Sequence, residues 1–390
     1  MESMGRSTLY WIGGAVVAGL VLFYWLTPAS AADLGGTCCS DLEERIAELE
    51  ATTAKKGNRK VSLTIYGQVN KALLHVSGGG ESDEAVIENS NAETFVGFAG
   101  SARFAPEWSA GYVLEIGAGG FKLDRDYGPD NANELYTRRS FWFVDGPVGK
   151  LSMGLQSQAT DGVAEITVAN TDAAQRNLSL RPFVGPQVLD AADIFDGTRG
   201  NLVRYDTPNL KGFVASASWS NGDDDSDVWD AALRYAGEGG GFRFGAGVGY
   251  RKGLIIPTLG AGGGDDLTVY SGSASVMHIA SGLFVSGAYG HAEIDGDGSA
   301  AAYHVTGGLE TKINTLGKTT IFGEYADSSD LNIRIYGGGV VQALDNAAMD
   351  LYLTVRKYEV DGGSFGNEDD HIHVDDLDAT TVMAGARVRF

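Results

Sequence analysis

The sequence predicts an all-β protein: a sixteen-stranded antiparallel transmembrane β-barrel preceded by a short N-terminal periplasmic coiled-coil helix. Three observations predict it. From Val61 onward apolar and polar residues alternate with the period of a strand, as in Met349, Leu351, Leu353 and Val355 against Asp350, Tyr352, Thr354 and Arg356. Many of these segments run about nine to eleven residues, the length a tilted strand needs to cross a bilayer, whereas strands of soluble sandwiches usually run about five or six. The connections between segments alternate short and long, as expected where turns collect at one membrane face and loops at the other.

Composition narrows the alternatives. The chain has 390 residues, 43% hydrophobic and 21% charged, with 56 Gly and 2 Cys. The glycines follow no G-X-Y period, which excludes collagen. Two adjacent cysteines make neither a disulfide framework nor a structural zinc site. The 51 acidic and 29 basic side chains leave a net charge of -22. Such a surface repels phosphate backbones, so no nucleic-acid partner is expected. Only the N-terminus holds an apolar stretch long enough for a membrane helix, which excludes a helical-bundle membrane protein.

Taken in order, residues 1–32 form the expected signal peptide: Arg6, an apolar run from Leu9 to Leu26, then Pro28 and the small residues Ala29, Ser30 and Ala31. An uncleaved inner-membrane anchor is the alternative. Residues 33–60 form a periplasmic segment and hinge, beginning with the paired thiols Cys38 and Cys39. Ser40 through Glu43 is a capping box, and Leu42, Ile46 and Leu49 then fall on one heptad seam that stops at Gly57. A helix over 41–56 is marginal alone and needs partners. Copies of itself, its own domain or the cell wall would supply them.

The domain over 61–390 divides into sixteen segments: 61–75, 93–102, 109–117, 136–145, 149–156, 201–207, 212–220, 227–236, 242–250, 267–278, 283–291, 301–311, 318–326, 333–343, 348–359 and 378–390. Short turns are expected at 145–148, 208–211, 237–241, 279–282 and 344–347. An even strand count returns both ends of the barrel to the periplasm, where the helix must lie. The connection over 157–200 stands apart. A structureless external loop of this length is unusual, so it is expected to fold back into the lumen and constrict it. A loop lying across the mouth is the alternative.

Four stretches resemble the trimeric general porins of Gram-negative bacteria, in particular the alphaproteobacterial (rhizobial-type) porins. They are Asp41 to Thr53 with Lys56 to Leu63, the opening strand Tyr66 to Asn70, Asn201 to Pro208 with Gly212 and Phe213, and the ending Ala384 to Phe390. The resemblance implies a sixteen-stranded barrel, a homotrimer, an inward third loop and passive solute diffusion.

Placing the apolar faces toward lipid turns Arg204, Arg234, Arg243, Arg356, Arg387 and Arg389 inward. Arg138 joins them if Phe141 and Phe143 take the opposite face. The long loop carries Asp161, Glu165, Asp172, Asp190, Asp193 and Asp196 against Arg176, Arg181 and Arg199. Acids on a loop facing a basic wall set a transverse field in which polar solutes orient. The expected constriction therefore pairs Asp161, Glu165, Asp172, Asp193 and Asp196 with Arg138, Arg204 and Arg234. The other reading of these charges is that they fasten the loop to the wall. The external loops hold nearly the entire net charge, densest at Asp223 to Asp225 and Glu368 to Asp370. Mild cation preference is expected; the same acids serve solubility or, as the alternative, divalent-cation bridging to lipopolysaccharide. His371 and His373 with Asp375 and Asp376 are read as a solvated loop, not a metal site. No nucleophile elbow, phosphate loop or H-E-x-x-H is present, so neither enzyme activity nor a cofactor is expected. The rival function is an outer-membrane tether or a substrate-specific channel in which the helix engages the cell wall.

Overall fold

A computed structural model describes residues 60–78, 81–118, 135–175, 195–221, 227–253, 267–294, 298–361, 363–366, 371–374 and 377–390. The expected signal peptide and the helix with its seam Leu42, Ile46 and Leu49 lie outside the described residues. So do Asp190, Asp193, Arg176 and Arg181.

The strands are β1 (Thr64–Gly78), β2 (Glu81–Glu88), β3 (Phe95–Ala105), β4 (Trp108–Ala118), β5 (Leu135–Gly146), β6 (Gly149–Ser157), β7 (Arg199–Asp206), β8 (Phe213–Asn221), β9 (Asp227–Gly239) and β10 (Phe242–Lys252). They continue with β11 (Leu267–His278), β12 (Leu283–Ile294), β13 (Gly298–Thr311), β14 (Thr319–Ser328), β15 (Ile333–Leu344), β16 (Met349–Val360), β17 (Gly363–Gly366), β18 (His371–Val374) and β19 (Leu377–Arg389). Sixteen of them, β1, β3 to β16 and β19, form one closed antiparallel wall. Closure comes from β1 on β19, with Val69 opposite Val388, and from paired bonds between Gly67 and Phe390 of 2.9 and 3.0 Å. A closed barrel leaves no unpaired edge, which is what lets strands span a bilayer.

The alternation has the expected consequence. Leu351, Leu353 and Val355 are exposed on the outer surface, while Asp350, Tyr352, Thr354 and Arg356 are buried inside. At one rim the turns are tight. Gly240 and Gly241, at φ +60° and +83°, join β9 to β10 as a two-residue hairpin whose positive φ angles suit glycine.

Three features depart from the sequence reading. The connection after β1 is not a plain loop. β2 pairs with the far half of β1, from Lys71 opposite Glu88 to Gly78 opposite Glu81, and β3 takes the near half of the same edge. Between them a 3-10 turn, Ser90–Ala92, enters the barrel. The last long connection contains a separate two-stranded hairpin, β17 with β18. Finally, Phe141 and Phe143 do not face lipid. They pair with Val113 and Gly111, on the same face as the inward Glu115, while Trp142 points outward. A bulge opposite Glu115 and Ile116 inserts Arg138 as an extra residue, so Arg138 and Arg139 both reach the interior.

Candidate functional site: the barrel interior

After β6 the chain turns into the barrel, and its two described limbs are tied at the base. Gln158 N donates to Thr198 O at 2.9 Å, and Thr198 N donates to Gln158 Oε1 at 2.9 Å. The Asp196 carboxylate accepts from Gly162 N at 2.7 Å and Ala164 N at 3.3 Å.

The outgoing limb, 159–175, then lies along the inner wall. Its backbone has no ladder partners, so the wall supplies them. Ala159 N donates to Ser218 Oγ at 3.1 Å, Ile166 N to Ser273 Oγ at 3.0 Å and Val168 N to Ser275 Oγ at 3.1 Å. Thr160 gives both its N–H and its hydroxyl to Asp230, at 2.6 and 2.7 Å. Further on, Asn170 N donates to Glu310 Oε2 at 3.0 Å, and Asp172 takes two bonds from Arg387 at 2.6 and 3.0 Å. Small wall residues allow this approach. A Cβ on Gly249 would stand 2.7 Å from Thr160 Cγ2, and one on Gly290 would stand 2.6 Å from Phe195 Cβ. The loop shares an apolar core with β1, β2 and the later strands, formed by Val168, Ala169, Ala173 and Ala174 against Leu74, Ile87, Phe284, Phe322 and Met383.

On the side of β3 to β7 a charged cluster lines the interior. Arg138 Nε donates to Glu93 at 3.0 Å, Arg199 Nη2 donates to the same carboxylate at 2.8 Å, and Arg138 also bonds Glu115. Arg139 lies 3.6 Å from Glu115, Tyr66 donates its hydroxyl to Glu115 at 2.8 Å, and the Arg138 guanidinium covers the Phe95 ring at 4.7 Å.

The residues expected to line a constriction are thus distributed as follows. Asp161 is half-buried in the outgoing limb, and its carbonyl accepts from Arg234 Nη2 at 2.7 Å. Glu165 is half-buried in the same limb. Asp172 pairs with Arg387, and Asp196 joins the two limbs while its carbonyl accepts from Arg251 at 2.7 Å. Arg204 makes a fork with Asp206 at 2.7 and 3.0 Å and donates to Gln158 O at 3.0 Å. Arg138 stands apart from these, in the cluster with Glu93 and Glu115. Asp193 lies outside the described residues.

Sequence reasoning missed Arg139, Asp230, Glu310, Glu324 and Asp350, all buried or half-buried inside. A signal for four of them existed, since Asp230 has the parity of Arg234, and Glu310, Glu324 and Asp350 fall on inward positions of alternating strands. Glu324 binds Arg356 at 2.6 Å and lies 3.2 Å from His304; Asp350 binds Arg387 at 2.9 Å and Arg389 at 3.0 Å. Glu93 opened the expected segment 93–102 but was not read as an inward charge, and the turn before it carried no periodic signal.

The Gram-negative porin family model matches residues 21–363. Among solved structures, an anion-selective porin from Comamonas acidovorans is 18% identical with a TM-score of 0.60, covering 85% of this chain and 100% of that one. The outer-membrane protein OmpT of Vibrio cholerae is 14% identical at a TM-score of 0.59, covering 87% and 100%. OmpF of Salmonella typhi, in complex with daunomycin, is 14% identical at 0.57, covering 86% and 99%. A search of the curated proteins finds no match. The likeness to these structures extends to the fold, a closed barrel built for the outer membrane, and the family match covers most of the sequence. The chain belongs to the Gram-negative porin family.

Proposed function

We propose that the protein is a water-filled channel for passive diffusion of ions and small hydrophilic solutes across the outer membrane, working as a homotrimer with mild cation preference. The observation that carries this reading is a loop held against one side of the interior of a closed barrel, facing a charged cluster on the other. Solutes pass between them. On the loop side the passage carries Asp161, Glu165, Asp172 and Asp196; the wall contributes Arg138, Arg204 and Arg234. A polar solute entering this field trades part of its hydration for oriented charges, while an apolar one gains nothing in return.

The sign of selectivity rests on where charge is compensated. Arg138 and Arg199 share Glu93, Arg204 is forked on Asp206, Arg356 is paired with Glu324, and Arg387 sits between Asp172 and Asp350. With most wall arginines paired, the acidic external loops dominate and concentrate cations at the mouth, within a Debye length of about 8 Å at physiological salt. The same carboxylates would hold divalent cations against lipopolysaccharide phosphates. The anion selectivity named for the Comamonas protein is therefore not carried over.

Reconstitution into planar bilayers under a salt gradient tests this. Stepwise conductance with a reversal potential on the cation side is expected. Replacing Asp161, Glu165, Asp193 and Asp196 by their amides should move that potential toward anions, most in dilute salt. Absence of conductance would overturn the channel, and an anion-selective wild type would overturn the sign.

A further inference from the structure

The turn that interrupts the wall between β2 and β3 has no part in closing the barrel, yet it is among the best buried polar segments of the protein. Asn89 is fully buried, and Asn91 nearly so. Each atom of the Asn89 amide is used. Its Oδ1 caps the turn by accepting from Asn91 N at 3.0 Å, and its Nδ2 donates to Ala173 O at 2.7 Å and to the Tyr352 hydroxyl at 2.8 Å. Asn91 Nδ2 donates to the next carbonyl of the loop, Ala174 O, at 3.2 Å. The turn is itself anchored. Asn70 Nδ2 donates to Ala92 O at 2.9 Å, the Tyr352 hydroxyl donates to Asn70 Oδ1 at 2.7 Å, and the Glu88 carboxylate accepts from Thr94 N at 2.7 Å.

We propose that this inward turn is a clamp on the long loop at 173–174, and that Asn89 and Asn91 are positioning residues for permeation. The reading rests on the channel function proposed above. The outgoing limb runs along the interior from β6, and hydroxyls and carboxylates of the wall hold residues 159–170. At 173–174 its own carbonyls need donors: Asn89 supplies Ala173 O, and Asn91 supplies Ala174 O, which also accepts from Arg356 Nη2 at 3.4 Å. Asparagine suits this position because a single side chain must accept at the cap and donate to the loop. Aspartate would keep the cap and lose the donors. The clamp also explains why β3 does not continue β2 directly: a straight strand would keep both amides in the wall. Releasing the clamp loosens the loop at 173–174 while Asp172 stays on Arg387, and it leaves unchanged the base at Asp196 and Gln158 and every residue of the charged cluster.

The test is single-channel recording on the full-length protein, comparing the wild type with Asn91→Leu and with the double variant Asn89→Ala, Asn91→Leu. Each lost hydrogen bond to a loop carbonyl should lower the docked-to-released ratio at 173–174 about fivefold, so about twenty-five-fold for the two together. The double variant should therefore show a larger mean conductance, added open-channel noise and a reversal potential closer to zero, while keeping the wild type's β-sheet circular dichroism. A cysteine pair at Asn91→Cys and Ala174→Cys, with Cys38 and Cys39 changed to Ser, bridged through two disulfides by a short bis-methanethiosulfonate, should return quiet, wild-type conductance, and reduction of those disulfides should release it. Unchanged conductance, noise and reversal potential in the double variant would overturn the clamp, as would a bridged pair that stays noisy. A wild type with no conductance would instead overturn the channel reading on which the clamp depends. If the double variant fails to assemble, the bridged and reduced cysteine pair decides alone.

Discussion

The two sides of the barrel interior use the same residue types to opposite ends. Where the loop lies on β8 to β19, the pairs Arg356–Glu324 and Arg387–Asp350 are sealed: the side chains of Arg387, Arg356, Glu324 and Asp350 expose 3%, 6%, 2% and 0% of their surface, and only the loop's own Asp172 is more open. On the side of β3 to β7, Glu115 is closed under Arg138, but the pair Arg199 and Glu93 exposes 27% and 28%. A sealed pair has no water to reorient and no solute to meet, so its work is to hold backbone in place, and removing one partner strands the other. A half-exposed pair still faces the passage and adds a field that solutes feel. Arginine content alone therefore says little about selectivity in this protein; burial decides which arginines fasten the loop and which face the passage.

The largest effect should come from breaking the sealed side. Arg387→Met leaves Asp172 without its two bonds and Asp350 with only Arg389 and Asn170, and should cost about 3 kcal/mol or more. A lower thermal midpoint by circular dichroism in detergent checks it, with a smaller loss for Arg199→Gln on the open side. Equal losses would erase the distinction. Next in size is a steric test. Gly290→Val places a side chain against Phe195, and overpacking of this kind typically costs about 1–3 kcal/mol. Phe195 must then shift toward the passage, so single-channel conductance should fall while reversal potential stays put. A more modest change is expected from Arg138→Gln with Arg199→Gln, which uncovers Glu93 and should move the reversal potential further toward cations below about 0.1 M salt, where the Debye length exceeds about 10 Å. Recording in 1 M salt should abolish most of that shift. The smallest effect concerns the chain outside the barrel: deleting 41–56 should leave the oligomer intact by native gel or light scattering. Monomers after that deletion would give the helix, rather than the wall, the assembling role.

The wall was legible in the sequence because a bilayer imposes two strict demands, an apolar outside and fully paired backbone, and both leave period-two patterning. Each of the sixteen segments overlaps a wall strand, and the inward parity of Arg204, Arg234, Arg356 and Arg387 could be read directly. Parity failed at Arg138, where a bulge breaks the count by one and reverses Phe141 and Phe143. β2 escaped notice because Glu81, Asp83, Glu84 and Glu88 resemble the acidic external loops in composition. The inward turn was invisible for a different reason. Asn89 and Asn91 find partners on β16 and on the long loop, far away in sequence, and no local pattern encodes such a meeting.

The seam between β1 and β19 has a consequence for how the protein is made. Val69 meets Val388, so the contact that closes the wall joins nearly the most distant parts of the described chain. Pairings of that span form slowly because the intervening chain must be ordered first. Until then β1 and β19 each present an open edge, the kind of surface on which foreign strands add and aggregates grow. Biogenesis must therefore shelter two edges for as long as assembly lasts, and substitutions that weaken the seam should appear first as poor yield of folded protein, before any change in the properties of the barrels that do close.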